Sequence, residues 1–159
     1  MKRIHVSISE QMLTLLEDDQ PIAHYLVSTA LNGAGEISGS EQTPRGAHIV
    51  RAKIGANAGV GTVFRGQRST GEIWSPALGV EHPERDWILT RILWLSGTEP
   101  GHNRLGGCDS MRRYIYIHGT PNTEPMGTPR SHGCIRMRNS DIVDLFERTP
   151  VYTPVLIEE

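Results

Sequence analysis

Hydrophobic and polar residues alternate in several short runs, and a period of two is typical of half-buried β-strands. The first run covers residues 3–8, where every second residue is isoleucine or valine. Runs at 12–17 and 22–28 flank the turn-forming segment Asp18-Asp19-Gln20-Pro21, which predicts a β-hairpin. A helix over 8–17 is the competing interpretation, but it would leave this turn segment unexplained. Further strands are predicted at 48–54, 60–64, 87–95, 114–118 and 151–157.

Only one segment has the apolar spacing of a helix. Ser140 is its expected N-cap, Ile142, Leu145 and Phe146 share one side, and Pro150 ends it. Many short strands with Gly-rich connections are typical of a β-sandwich or barrel. We therefore predict a mainly all-β fold with one short helix in the C-terminal half, formed by a single domain over residues 1–159.

Composition excludes several classes of protein. The chain has 16 basic and 18 acidic residues, a net charge of -2, which argues against a nucleic-acid-binding protein. No apolar run is long enough to cross a membrane as a helix. Residues 1–10 lack the apolar stretch of a secretory signal. A cytoplasmic protein is therefore expected, with a periplasmic protein whose export signal has been removed as the alternative.

Candidate chemistry is concentrated between residues 114 and 138. In the predicted strand 114–118, the isoleucines share the core-facing side, whereas Tyr116 and His118 share the other. A loop follows and ends in the sequence Ser131-His132-Gly133-Cys134. The loop therefore brings a cysteine and a second histidine after the strand that ends in His118.

Cys134 has the neighbours that a nucleophilic cysteine needs. His118 or His132 can serve as its base, and His118 is sterically freer because His132 is only two residues away. Gly133 gives a carbonyl group room to approach, and the N–H groups of Gly133 and Cys134 can stabilise an oxyanion. The alternative interpretation is a small buried cysteine beside a surface histidine. Cys108 has no comparable neighbours and is interpreted as structural.

The same region is basic. Between Arg104 and Arg138 there are six arginines and two acidic residues. A basic field lowers the pKa of a thiol and attracts anions, so we expect a small carboxylated, acyl-bearing substrate. A solvated basic face without function is the alternative.

The segment from His118-Gly119-Thr120 to Ser131-His132-Gly133-Cys134-Ile135-Arg136 resembles the signature of the L,D-transpeptidase (YkuD-like) family. Thr43-Pro44-Arg45-Gly46 resembles the Thr-Pro-x-Gly element of that family. The resemblance implies a YkuD-like β-sandwich or barrel. It also implies cleavage of the meso-diaminopimelate–D-Ala bond in peptidoglycan tetrapeptides through a thioester.

The resemblance also implies roles for individual residues. Cys134 is the nucleophile, and His118 is the base, oriented by the carbonyl of Gly119. His132 and Gly133 belong to the oxyanion turn. Ser131 and Arg136 support the turn or hold a substrate carboxylate, and Tyr116 is a further substrate-binding residue. No cofactor or metal is expected, and carbapenem-type inhibitors are possible ligands.

Because no export signal is present, the chain most resembles the cytoplasmic L,D-carboxypeptidases of this fold, which release D-Ala from recycled muropeptides. A periplasmic L,D-transpeptidase that makes cross-links or exchanges D-amino acids is the alternative. A zinc hydrolase using His118, His132 and Cys134 is a different class, but no common zinc-binding spacing is present. A non-catalytic module that binds acidic ligands through the basic loop is a third class.

Overall fold

Ten strands and two short helices make up the protein, as a computed structural model of residues 1–159 shows. The helices are α1 (Pro76–Glu81) and α2 (Asn139–Arg148), and a 3-10 turn covers Gly106–Cys108. The strands are β1 (Lys2–Ser7), β2 (Met12–Glu17), β3 (Gln20–Leu26), β4 (Gly46–Ile54), β5 (Thr62–Arg65), β6 (Arg68–Ile73), β7 (Ile88–Gly97), β8 (Tyr116–Gly119), β9 (Ile135–Met137) and β10 (Pro154–Glu158).

All ten strands belong to one mixed sheet, in the order β3-β2-β1-β10-β4-β7-β5-β6. The long strand β7 also pairs with β8, and β8 pairs in parallel with β9. This branch carries the short strands β8 and β9 away from the main path of the sheet. The prediction of a mainly β fold is confirmed.

The predicted hairpin is present as β2 and β3, which pair antiparallel from Met12↔Leu26 to Glu17↔Gln20. Asp18 and Asp19 form its two-residue turn with φ values of 49° and 65°. Two successive positive φ values match the turn to the twist of the strands, and aspartate tolerates them better than most residues. The competing helix over 8–17 is therefore wrong.

The main core is a cluster of 18 buried residues drawn from strands at both ends of the chain, from β4, β7, β8 and β9, and from helix α2. Ile142, Leu145 and Phe146 of α2 belong to it, so this amphipathic helix packs on the sheet as its apolar spacing predicted. The helix begins one residue earlier than expected: Arg138 is the N-cap and Asn139 the first helical residue. The buried side chain of Asn139 accepts a hydrogen bond from the Thr90 hydroxyl at 2.6 Å.

Two local features differ from the sequence-based picture. Helix α1 was not predicted, and it begins with the Ser75 hydroxyl accepting a hydrogen bond from the Leu78 N–H. Tyr114 lies outside strand β8 with φ 58° and an exposed side chain. Both Cys108 and Cys134 are free thiols. The structure contains no helix that is both long and apolar enough to span a bilayer.

Candidate active site

Strands β8 and β9 place His118 and Cys134 on one side of the sheet. The parallel register pairs Ile117 with Ile135 and His118 with Arg136. Both isoleucines are fully buried in the main core, so the alternate positions His118 and Arg136 face the opposite side. Cys134 directly precedes Ile135 and therefore lies on the same side as His118.

His118 is fully buried and is held in one orientation. Its Nδ1 lies 2.6 Å from the carbonyl oxygen of Gly119, so Nδ1 carries the proton and Nε2 has a free lone pair. Nε2 has no hydrogen-bond partner. Burial lowers the pKa of His118 and outweighs the opposite effect of Asp86. A neutral imidazole with an unused lone pair is therefore available as a base.

Gly119 is required for this arrangement, because its backbone packs closely on the neighbouring strand. A Cβ atom at this position would lie 2.6 Å from the carbonyl oxygen of Leu89. Any larger residue would push β8 away from β7 and move the carbonyl that orients His118.

The Cys134 sulfur is half-buried between two backbone groups. It accepts a hydrogen bond from the Tyr116 N–H at 3.4 Å and lies 3.3 Å from the Tyr114 carbonyl oxygen, to which its S–H donates. Burial raises the pKa of the thiol to about 12, although Arg136 and Arg113 act in the opposite direction. The arginines therefore lower this pKa as expected, but burial, which the sequence did not reveal, outweighs them. The sulfur is a neutral thiol and needs a base.

The turn that precedes Cys134 is held by side chains. The buried Ser131 hydroxyl donates to the Cys134 carbonyl at 2.5 Å and accepts from the Gly133 N–H at 3.2 Å. Thr43 donates to the Gly133 carbonyl at 2.9 Å, which gives the Thr-Pro-x-Gly element a structural role. Gly133 has φ 136°, which favours glycine.

These contacts change which donors are free for an oxyanion. The Gly133 N–H is already used by Ser131, whereas no protein acceptor takes the Cys134 N–H. The His132 N–H also has no protein acceptor, so these two N–H groups are the backbone donors that the turn offers. His132, the other member of the predicted oxyanion group, is exposed.

Asp86 is the residue of this site that sequence reasoning missed. Its carboxylate accepts a hydrogen bond from Arg136 Nη2 at 3.0 Å and lies 3.7 Å from His132 Nδ1. Burial favours its neutral form, but His118, Arg136 and His132 together outweigh burial and lower the pKa of Asp86. Arg136 also lies 3.7 Å from the Glu124 carboxylate, so it has two acidic partners.

A cavity of about 480 Å³ opens beside Cys134. Tyr116 lines this cavity. The Tyr116 hydroxyl accepts a hydrogen bond from Gln67, and the ring meets the Trp94 ring edge-on, with the ring centroids 5.8 Å apart. Other lining residues include Asp86, Arg113, His132 and Cys134. Among the predicted site residues, three line the cavity (Cys134, Tyr116, His132) and five lie outside its lining (His118, Gly119, Ser131, Gly133, Arg136).

Metal binding is not favoured by the arrangement of side chains. No three His, Cys, Asp or Glu residues are grouped so that they could hold a metal ion. The three residues considered for a zinc site therefore do not form one.

Comparisons with known proteins agree with this geometry. The model of the family described as "YkuD: L,D-transpeptidase catalytic domain" matches residues 1–157. YqjB from Bacillus subtilis (strain 168) is 51% identical over 47 residues, which make up 30% of this chain and 27% of YqjB.

Solved structures share the fold at low sequence identity. An L,D-transpeptidase from Mycobacterium smegmatis matches with a TM-score of 0.59 at 17% identity, over 99% of this chain and 58% of its own. L,D-transpeptidase 3 from Mycobacterium tuberculosis, solved with a faropenem-derived adduct, matches with a TM-score of 0.61 at 17% identity, over 99% and 60%. A further neighbour, LdtMt1, was solved in complex with imipenem. The chain spans less than two thirds of the length of these relatives.

Proposed function

Because the chain belongs to the L,D-transpeptidase catalytic domain family, we propose that it cleaves the meso-diaminopimelate–D-Ala bond of peptidoglycan tetrapeptides through a thioester on Cys134. The observation that carries this proposal is the pairing of a buried, neutral His118 with a half-buried thiol on the same side of the sheet. A peptide bond next to a free terminal D-Ala is the substrate that the family favours.

Acylation begins with the transfer of the thiol proton to Nε2 of His118 as the sulfur attacks the carbonyl carbon of diaminopimelate. The Gly119 carbonyl stabilises the resulting imidazolium through Nδ1–H. The Cys134 N–H donates to the developing oxyanion. When the tetrahedral intermediate collapses, the C–N bond breaks and His118 returns the proton to the amine of D-Ala, which leaves.

Deacylation needs an acceptor, and we propose water. His118 removes a proton from a water molecule, the hydroxide attacks the thioester, and the C–S bond breaks to give the tripeptide and a thiolate that is reprotonated. Cys134 is only half-buried at the edge of an open cavity, so water reaches the thioester without a further conformational step. We propose that the chain then acts as an L,D-carboxypeptidase on recycled muropeptides in the cytoplasm.

Transfer to an amine is the second candidate function. Solved neighbours from Mycobacterium smegmatis and Mycobacterium tuberculosis are named as L,D-transpeptidases, which favours this function. An amine acceptor would use the same thioester and would give a cross-link or an exchanged D-amino acid. This function requires peptidoglycan outside the inner membrane, so the protein would be periplasmic.

The remaining predicted residues support the site. We propose that Ser131 fixes the turn through its two hydrogen bonds, and that Arg136 positions Asp86 on the cavity wall. Tyr116 and His132 form part of the surface that the substrate contacts.

Mass spectrometry of a reaction separates the two functions. The protein is mixed with an anhydro-muramyl tetrapeptide, with and without an added D-amino acid. Tripeptide and free D-Ala in both samples support a carboxypeptidase, and cell fractionation should then find the protein in the cytoplasm. A cross-linked dimer or an exchanged D-amino acid supports a transpeptidase. An unchanged tetrapeptide in both samples contradicts the proposed activity.

The same method tests inhibitor binding. Since neighbours of this fold are solved with imipenem and with a faropenem-derived adduct, we propose that a carbapenem acylates Cys134. The intact protein should gain the mass of one inhibitor molecule, and the Cys134→Ala variant should gain none.

A further inference from the structure

Two arginines lie close to Cys134, and their electrostatic environments differ. Arg136 is buried and lies within 4 Å of two carboxylates, those of Asp86 and Glu124. Arg113 is half-buried, lines the Cys134 cavity and has no carboxylate within that distance. Arg136 therefore has carboxylates in direct contact with its charge, whereas Arg113 has none.

Arg113 is held in place by neutral groups only. Its Nη2 donates to the Gln42 carbonyl at 2.6 Å and to the Ser40 hydroxyl at 3.4 Å, and its Nη1 donates to the Gly35 carbonyl at 3.3 Å. A guanidinium group has five N–H donors, and Nε–H has no protein acceptor here. The side chain is thus fixed, with donor capacity and full charge left for a ligand.

The guanidinium group also lies beside the turn that carries the sulfur. A Cβ atom on Gly133 would lie 3.9 Å from Arg113 Nη2. Burial lowers the pKa of Arg113, and the Glu36 carboxylate, which is itself paired with Arg45, opposes this effect only in part. A partly desolvated cation of this kind gains from pairing with an anion, and its planar fork suits a carboxylate.

We propose that Arg113 binds the terminal α-carboxylate of the substrate, the carboxylate of the D-Ala that leaves. This inference rests on the proposed function. In such a substrate the carboxylate carbon is three bonds from the carbonyl carbon that Cys134 attacks, a distance of about 3 to 4 Å from standard bond lengths. A substrate carbonyl in contact with the sulfur therefore keeps this carboxylate inside the cavity that Cys134 and Arg113 both line. Arg136, the arginine that the sequence suggested for a carboxylate, is already paired.

A charge-selective alkylation experiment tests the proposal without requiring turnover. In a Cys108→Ser background at pH 9, peptide mapping follows the labelling of Cys134 by iodoacetate, an anion, and by iodoacetamide, its neutral analogue. The ratio of the two rates cancels any change in the pKa of the thiol. We expect Arg113→Gln to lower the iodoacetate-to-iodoacetamide ratio about tenfold relative to the background protein, the effect of losing about 1.4 kcal/mol of attraction.

The neighbouring residue provides a matched control. Arg112 is exposed and its side chain makes no hydrogen bond, so Arg112→Gln should change the ratio less than twofold. Equal ratios for the background protein and Arg113→Gln would overturn the proposal. Arg113→Lys keeps the charge but not the fork, and it should give an intermediate ratio.

A measurement on the unaltered protein covers the case in which Arg113→Gln does not fold. N-acetyl-D-alanine should protect Cys134 from iodoacetamide at concentrations where N-acetyl-D-alaninamide does not. Equal protection by the acid and the amide contradicts carboxylate recognition.

Turnover separates failure of this proposal from failure of the proposed function. Wild-type protein should cleave a tetrapeptide ending in D-Ala with a kcat/KM at least tenfold higher than that for a tetrapeptide ending in D-alaninamide. Arg113→Gln should abolish this preference, because it should lose activity only on the peptide with the free carboxylate. Equal cleavage of both peptides refutes the role of Arg113 and leaves the activity standing. Cleavage of neither peptide refutes the activity, and the alkylation ratio then still decides whether Arg113 recognises an anion.

Discussion

The Asp86 carboxylate and Arg136 Nη2 form a hydrogen bond of 3.0 Å that joins the segment just before strand β7 to strand β9. Asp86 also lies 3.7 Å from His132, and its charge raises the pKa values of both His118 and Cys134. One carboxylate thus neutralises a buried arginine and tunes the two groups that we propose as base and nucleophile. Asp86 is therefore a positioning residue of the site.

Asp86→Asn should shift the pH profile of the reaction. Since the Asp86 charge raises the pKa of His118, its removal lowers that pKa further, and the acid limb of kcat/KM moves to lower pH. The thiol also becomes more acidic, so Cys134 is alkylated faster at pH 8. Glu84→Gln, an exposed change two residues away, is the control and should keep the wild-type profile. A variant with an unaltered acid limb and an unaltered alkylation rate would remove Asp86 from this role.

Loss of either proposed catalytic side chain should abolish or strongly reduce release of D-Ala. Cys134→Ala should have no activity, and His118→Ala should be about 10²–10⁴-fold slower because the proton has no acceptor. Cys108→Ala is the matched control, since that thiol only donates to the Leu105 carbonyl at 3.3 Å. Circular dichroism checks that each variant is folded. Near wild-type turnover of folded Cys134→Ala would end the thioester mechanism.

The reactivity of the Cys134 thiol should depend on pH without a plateau in the neutral range. Burial raises its pKa to about 12, so the thiolate fraction rises tenfold for each pH unit from 7 to 10. The rate of labelling by iodoacetamide, followed at Cys134 by peptide mapping, should rise in the same proportion. A plateau below pH 9 would instead show a thiolate already formed in the resting protein.

The elements that the sequence predicted well are those specified by neighbouring residues. The hairpin of β2 and β3 follows from the alternation on each side of Asp18 and Asp19, and helix α2 from its apolar spacing and Pro150. Helix α1 was missed although Ser75-Pro76 is a recognisable helix start, because none of its residues is buried and no apolar stripe accompanies the start.

The predicted site was incomplete where it depends on contacts between distant segments. His118 and Cys134 were found because they belong to one short region of sequence. Asp86 lies more than 30 residues before His118, and nothing around it distinguishes its carboxylate from those of its neighbours. The raised pKa of the thiol could not be predicted either, because burial of the sulfur depends on how the turn packs against the backbone of 114–116.

Gly133→Ala should destabilise the turn that carries the nucleophile. The residue has φ 136°, and a Cβ atom would lie 3.3 Å from both the Gln42 carbonyl oxygen and Ile115 Cδ1. Backbone strain of this kind costs about 1–3 kcal/mol. We expect the free energy of unfolding, measured in urea, to fall by about that amount, with loss of activity. Gly107→Ala, where a Cβ meets open space, is the control, and equal effects at both positions would contradict the argument.

His48 should make the protein less stable as the pH falls from 6.5 towards 4. Its ring is buried, with Nδ1 donating to the Gly46 carbonyl at 3.0 Å and Nε2 accepting from the Ser110 hydroxyl at 2.8 Å. Burial lowers the pKa of His48 to about 4 from the model-peptide value of 6.5. The unfolded chain therefore binds a proton in this range that the folded protein does not, and the stabilisation present above pH 6.5 is lost on acidification.

The loss attributable to this one group between pH 7 and pH 5 is about 2 kcal/mol. Urea unfolding of wild type and His48→Gln at both pH values measures this loss. The variant should be less stable than wild type at pH 7, but its free energy of unfolding should not fall by this amount between pH 7 and pH 5. His24→Gln removes an exposed histidine and is the control. Wild type and His48→Gln could instead lose the same free energy of unfolding between pH 7 and pH 5. That result would mean that burial does not keep His48 neutral, and that its Nε2 does not accept a hydrogen bond from Ser110 at pH 5.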